Sequence, residues 1–326
     1  MRLEHLRIEQ ATGAVLVHNV VDAEGHKVLP KGRLLDAEDL NKLRGLGRDT
    51  VYAAVLESGD VREDDAAARI ARRVAGDRLE MSKPSAGRVN FYATLRGLFR
   101  IDTAALGRFN RLQGLTLATI PPFTPVAPKK MVATLKTIGL ALPEDRVHEA
   151  ENIAGEAAPL FDVAPIARGR VALILASSEN GRERVRQVFS PPIHGRIHDL
   201  DAQIVREESV LEEEEAIARA IEAALQDASA QMVILAGETS IMDAEDTVPR
   251  GIRRAGGEIE LYGAPVEPGN LLLLAYSGTI PIIGAPGCVK SRETNVVDLI
   301  LPRLLAGERV SRDDVIALGV GGLLVG

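Results

Sequence analysis

Val171-Ala-Leu-Ile-Leu-Ala176 is a run of six residues without a polar side chain. A strand of that kind must be covered on both faces, which is the habit of a parallel sheet. Met232–Ala236 and Ile280–Ile283 repeat the pattern, and Ala202–Val205, Glu258–Tyr262 and Asn270–Tyr276 read as further strands. Between them lie helix-like segments. Leu211–Gln226 places Ile217, Ile221 and Leu225 four apart on one face, the helical period. Its first turn carries Glu212 to Glu215, negative charge at the positive end of the helix dipole. Val248–Ala255, Glu293–Leu305 and a start at Asp313–Leu318 complete the set, while Arg182–Phe189 reads as a short helix that Pro191-Pro192 should end. Alternation of this type predicts an α/β fold, a three-layer α/β/α domain with a mostly parallel sheet.

The first half is less regular. Thr12–Val20 and Val51–Leu56 read as strands, Ala37–Leu46 and Glu63–Ala75 as helices, and Met81–Arg88 as a loop. Ile120–Pro128 holds four prolines, which excludes an ordinary helix or central strand. The composition turns abruptly apolar after Pro165–Gly169. The expected division is therefore a mixed α+β region over 1–168, with room for two small subdomains, and an α/β domain over 169–326.

Composition excludes several classes. The net charge of −7 argues against a nucleic-acid partner, which calls for a basic field. A lone cysteine, Cys288, rules out an internal disulfide and a cysteine-cluster metal site, and fits a reducing compartment, the cytoplasm. The N-terminus lacks an apolar signal core, and stretches such as Asn270–Tyr276 are far short of the roughly 20 residues that cross a bilayer. No membrane contact is expected.

In an open α/β sheet, ligands bind beyond the carboxyl ends of the strands. Three segments fall there. Ala176-Ser-Ser-Glu-Asn-Gly181 offers Ser177, Ser178 and free helix amides to an anion, or simply caps a helix. Gly237-Glu-Thr-Ser-Ile-Met-Asp-Ala-Glu-Asp246 sets Glu238, Asp243, Glu245 and Asp246 beside the hydroxyls of Thr239 and Ser240. Such carboxylates can hold Mg²⁺ or move a proton; the plainer reading is a solvated loop with Asp246 capping the next helix. Gly284-Ala-Pro-Gly-Cys-Val-Lys-Ser-Arg292 lets the backbone approach a ligand closely and adds Lys290 and Arg292. It is the best anion-binding candidate by composition; a common strand–helix connection is the alternative. Cys288 reads more readily as structural than reactive. His194 and His198 are four apart, but Gly195 and the preceding prolines argue against a helical metal pair. Basic residues of the first half, Lys83, Arg88, Lys129 and Lys130, read as solvated.

Taken in order, these loops resemble the molybdopterin-binding domain of molybdenum-cofactor biosynthesis proteins. Ile234-Leu-Ala-Gly-Glu-Thr-Ser240 with Asp243 and Asp246 is similar to that family's glycine-rich loop and its aspartates. Tyr262-Gly-Ala-Pro-Val-Glu-Pro-Gly269 resembles its Lys-Pro-Gly turn, Pro281-Ile-Ile-Gly-Ala-Pro-Gly287 its Gly-Leu-Pro-Gly-Asn-Pro loop, and Leu301-Pro-Arg-Leu-Leu-Ala-Gly307 the helix that follows. The likeness covers about 171–308, and a large segment before it suggests a divergent relative of the molybdopterin molybdotransferases. Glu267 stands where the family's lysine is usual and Cys288 where its loop has Asn. The end at Gly326 leaves no room for the final β domain of that group.

The resemblance implies a molybdopterin ligand, an anionic pterin, with Mg²⁺ and molybdate as associates. Its binding residues would be Ser177, Ser178, Gly237, Glu238, Thr239, Ser240, Pro268, Gly269, Gly284, Pro286, Gly287, Cys288 and Ser291. Asp243 and Asp246 would be catalytic and metal-positioning. The implied activity is nucleotidyl or molybdate transfer in molybdenum cofactor biosynthesis. The alternatives are a non-catalytic carrier that delivers cofactor to a molybdoenzyme or another biosynthetic protein, and a nucleotide pyrophosphatase. A homo-oligomer is the family expectation.

Overall fold

The structure is a computed structural model that describes residues 1–226, 230–239 and 241–324. The chain forms two compact units. The first takes Met1–Leu95, Phe99–Pro122 and Ala127–Val163; the second takes Arg96–Leu98, Phe123–Val126 and Ala164–Gly326.

The first unit is mixed α+β. Strand Thr50–Val55 lies between Arg2–Arg7 and Val15–Leu16, antiparallel to both. Helix Ala37–Gly45 starts at Asp36, whose carboxylate accepts from the Asp39 amide in a reciprocal capping box. A second sheet orders Leu115–Thr119, Met131–Thr137, Arg88–Ala93 and Leu79–Met81 side by side. Helices Glu63–Val74 and Glu144–Ala157 pack on one another, and Phe91 meets Phe161 edge-on at 5.0 Å. The expected strand over Thr12–Val20 is instead two short pieces, Val15–Leu16 and Val20–Val21. The backbone there bonds to the turn at 32–35, through Leu16 N to Arg33 O and Gly32 N to Leu16 O, both 2.8 Å.

The elements of the second unit are numbered from its long first strand. They are β1 (Arg170–Ser177), α1 (Arg182–Asp199), β2 (Gln203–Leu211), α2 (Glu214–Gln226), β3 (Met232–Gly237), α3 (Thr247–Arg254), β4 (Glu258–Tyr262), β5 (Leu273–Ser277), β6 (Ile280–Gly284), α4 (Val296–Leu305) and α5 (Arg312–Ala317). One sheet holds all six strands in the order β2-β1-β3-β6-β5-β4. β2, β1, β3 and β6 pair in parallel; β5 runs antiparallel to both β6 and β4.

Alternation along β1 divides the core. Val171, Leu173 and Leu175 pack with Val185, Phe189, Ile193 and Ile197 of α1 and with Ile300 and Leu304 of α4. Ala172, Ile174 and Ala176 pack with Ile217 and Ile221 of α2 and with Val248 and Ile252 of α3. This is the three-layer α/β/α arrangement the apolar strands require.

In the second unit the largest departures from the sequence reading are in α1 and β2. α1 does not end before Pro191-Pro192 but continues to Asp199. Proline costs a helix its amide donor and clashes with the preceding turn. Here the stripe Val185, Phe189, Ile193, Ile197 repeats every four residues across the prolines, and all four side chains are buried. Continuing the helix keeps the second pair in the core, and that burial outweighs the local penalty. β2 runs on to Leu211, well past Val205. Its polar end was unreadable as a strand because it lies at the sheet edge, where its side chains are half-buried. Arg206 pairs with Glu208 at 2.7 Å, and Glu207 meets His194 of α1 at 2.7 Å.

Candidate functional site

Register fixes where the loops leave. Ala176 of β1 is paired with Gly237 of β3, and Leu235 of β3 with Gly284 of β6. Three parallel strands therefore end at one sheet edge, and the loops after them are neighbours. β2 ends there too, since the Glu212 amide donates to Ser177 O at 3.0 Å.

The loop after β1 is closed by a carboxylate from the loop after β3. The Ser178 amide donates to Glu238 Oε2 at 3.0 Å, and the Ser178 hydroxyl donates to the same oxygen at 2.7 Å. Arg184, in the first turn of α1, pairs with the other oxygen. Gly181 sits so close that a Cβ there would overlap the Glu238 carboxylate. The Ser178 hydroxyl and amide, with Arg184 behind them, hold the Glu238 carboxyl below the usual glutamate range. Ser177 ends β1 with its hydroxyl buried and without a hydrogen-bond partner.

On the α3 side of the same edge, Thr239 bonds to Glu212 through its hydroxyl. Burial pushes the Glu212 carboxyl above its usual range, and the nearby charges of Asp246 and Glu238 add to the rise. Sequence reading placed Glu212 in a helix turn, but α2 starts only at Glu214. Asp246 caps α3: one carboxylate oxygen accepts from the Thr247 amide at 2.8 Å and the other from the Met242 amide at 3.1 Å. Asp243 accepts from the Glu245 amide at 2.7 Å. Ser240 lies outside the described residues.

The loop after β6 makes one 3₁₀ turn, Gly287–Lys290, after Pro286. Arg196 of α1, buried, holds it by donating to Val289 O and Glu293 O, both at 3.0 Å, and pairs with Asp298 of α4 at 2.8 Å. Ser291 Oγ accepts from the Glu293 amide. Burial pushes the Cys288 thiol up, so it is less of a nucleophile than a free cysteine. Gly284 carries no Cβ because the Ile241 side chain lies against it, at 2.7 Å from where a Cβ would be. Pro268 and Gly269 seat the start of α4. Pro268 O accepts from the Val296 amide at 3.1 Å, and Gly269, at φ +126°, abuts Val296.

Between α1 and the loops after β3 and β6 is a cavity of about 150 Å³. Val185, Val188 and Phe189 form its apolar wall, Gly237, Glu238 and Gly287 its base, and Arg184 and Lys290 its cationic rim. Of the expected site residues, Gly237, Glu238 and Gly287 come together here, with Ser178 bonded to Glu238. Asp243 and Asp246 stand at the start of α3, the helix on the opposite face of the sheet from α1. Pro268 and Gly269 lie at the start of α4. Sequence reasoning missed Arg184 and Glu212 as site residues. A basic residue in the first turn of a helix, where the dipole disfavours it, was the available signal for Arg184.

A three-layer domain with a parallel sheet and ligand-sized loops at one carboxyl edge belongs to the class of open-sheet binding domains. Residues 172–306 match the family described as "Probable molybdopterin binding domain". Residues 5–55 match a second family, a domain of unknown function (DUF8806). Similar solved structures include a molybdenum cofactor biosynthesis protein from Pyrococcus furiosus, 12% identical, covering 96% of this chain and 66% of that one at a TM-score of 0.28. This chain thus spans just under two thirds of that protein. The molybdopterin biosynthesis moeA protein of Pyrococcus horikoshii is 12% identical over 94% of this chain and 75% of its own, TM-score 0.32. The protein CinA from Thermoplasma acidophilum, described as of unknown function, is 15% identical over 42% of this chain and 98% of its own, TM-score 0.35. No curated protein matches the chain. Among the described residues, no helix is long and apolar enough to cross a membrane.

Proposed function

We propose that the second unit binds an anionic pterin of the molybdopterin type and serves in the biosynthesis or handling of the molybdenum cofactor. The family match over 172–306 supports the ligand class. The observation that carries the reading is the cavity between α1 and the loops after β3 and β6, apolar on one wall and cationic at the rim. At about 150 Å³ the cavity is smaller than the roughly 300–1,000 Å³ of small-molecule sites, so it takes one part of the ligand: its apolar wall suits an edge of the heterocycle, and Lys290 suits the phosphate. The Lys290 ammonium has no ion-pair partner among the described residues.

The carrier form of this reading, binding without turnover, asks the least of Asp243 and Asp246. Asp246 already spends both carboxylate oxygens on backbone amides. Among the described residues, the one set of three His, Cys, Asp or Glu ligand atoms within 4.8 Å is Asp22, Glu24 and His26, in the first unit. Asp243 and Asp246 are not part of that set and would hold Mg²⁺ only with the ligand's own oxygens completing the shell.

Titration of the full chain with molybdopterin under anaerobic conditions tests the proposal. Saturable binding is expected, weakened about tenfold in Lys290→Ala, the loss of one charge-assisted contact. Absence of binding by wild type removes the reading. Conversion of the ligand on addition of nucleotide or molybdate, abolished in Asp243→Ala, would replace the carrier form with group transfer.

A further inference from the structure

The loop after β1 is built to hold an anion and already holds one. The Ser178 amide and hydroxyl converge on Glu238 Oε2, the Arg184 guanidinium takes the other oxygen, and Gly181 leaves room where any side chain would overlap. All of these belong to the start of α1 except the carboxylate itself, which comes from the end of β3. The cluster opens onto the cavity, since Arg184 and Glu238 both line it.

Ser177 supplies a separate indication of a ligand. The residue is 1% exposed, and its hydroxyl has no hydrogen-bond partner. Buried hydroxyls without a partner are uncommon. By alternation along β1 it projects on the side of Leu173 and Leu175, toward the layer of α1 that carries Val185 and Phe189.

We propose that Glu238 is a built-in competitor: its carboxylate fills an anion subsite formed by Ser177, Ser178 and Arg184, and a phosphate group must displace it to bind. The idea rests on reading the second unit as an anion-binding domain and adds how access to that site is controlled. A carboxylate tethered one loop away competes at a high effective concentration. It presents a single charge to Ser178 and Arg184. A phosphate monoester presents two charges and three oxygens, enough to reach Ser177 as well. The rim lysine, Lys290, then faces the incoming dianion rather than Glu238 alone.

Inorganic phosphate is the probe, titrated into the full chain by calorimetry with wild type, Glu238→Ala and Glu238→Gln. Both variants are expected to bind phosphate about tenfold tighter than wild type or better. Adding Ser177→Ala to Glu238→Ala should reverse part of the gain. A folded Glu238→Ala that binds phosphate no more tightly than wild type overturns the proposal. So does failure of both Glu238 variants to fold, which would make Glu238 a structural staple. The two readings fail separately. Wild type that ignores molybdopterin while Glu238→Ala gains phosphate removes the pterin but keeps the competitor. Wild type that binds molybdopterin while Glu238 variants gain nothing removes the competitor alone.

Discussion

Glu212 leaves β2 with its carboxylate turned toward Thr239 and into the field of Asp246 and Glu238. Burial raises its folded-state pKa above the ordinary glutamate value of about 4.3. A group raised in this way contributes stability that is fully present below the unfolded value and is lost as pH rises through the folded one. At neutral pH the wild-type chain thus carries a half-buried charge that glutamine would not. Glu212→Gln keeps an acceptor for Thr239, so its unfolding midpoint in urea should exceed that of wild type at pH 7. The gap should close as pH falls toward 4. Equal midpoints at pH 7 would show that the charge is stabilised by something other than these neighbours. Residue identity was legible at such positions, and the acidic run from Glu212 to Glu215 was noticed. What a run cannot reveal is that its first member belongs to a strand exit and the others to a helix.

Elements were legible where one rule governed them. β1, β3 and β6 are apolar on both faces, and a strand without polar residues has few other places to go. α2 carries its own period, and α3 its own cap in Asp246. β2 was half legible, because an edge strand can clothe itself in charge. α1 was misread because the proline rule is local whereas the stripe Val185 to Ile197 is tertiary. The carboxyl-edge position of the three loops followed from reading the strands as parallel, but their contents, such as Glu238 seated on Ser178, depended on side-chain directions. The antiparallel strands of the first unit are mostly short and interrupted: of the two read from sequence, Val51–Leu56 corresponds to Thr50–Val55, whereas Thr12–Val20 is two short pieces. At this scale Arg196 is the residue that joins elements. It ties α1 to the loop after β6 and to α4 through Val289 O, Glu293 O and Asp298. Arg196→Met leaves Asp298 without its buried partner, which should cost about 3 kcal/mol. Hydrogen exchange should quicken first over residues 287–293, before α1 itself loosens. Uniform acceleration across the second unit would mean that the loop is held by other contacts.

The two units are not consecutive along the chain. Phe123–Val126, from the proline-rich stretch, belongs to the second unit, as does Arg96–Leu98. Nothing in a sequence marks a four-residue piece as belonging to a body that begins forty residues later. Its contribution can nonetheless be measured. Phe123 lies under the guanidinium of Arg303, with the carbon 4.0 Å from the ring centroid. Arg303 is buried on α4 and also pairs with Glu308 and Asp314, each at 2.8 Å. Removing the ring by Phe123→Ala leaves both ion pairs in place and forfeits the cation–π contact, about 1 kcal/mol. Removing the charge by Arg303→Met strands two carboxylates and should cost about 3 kcal/mol. The double variant should cost less than the sum, because the ring loses its cation in either case. If the two effects simply add, Phe123 acts on the second unit by packing alone. Coupling between them would show that the early piece is held there by the charge on α4.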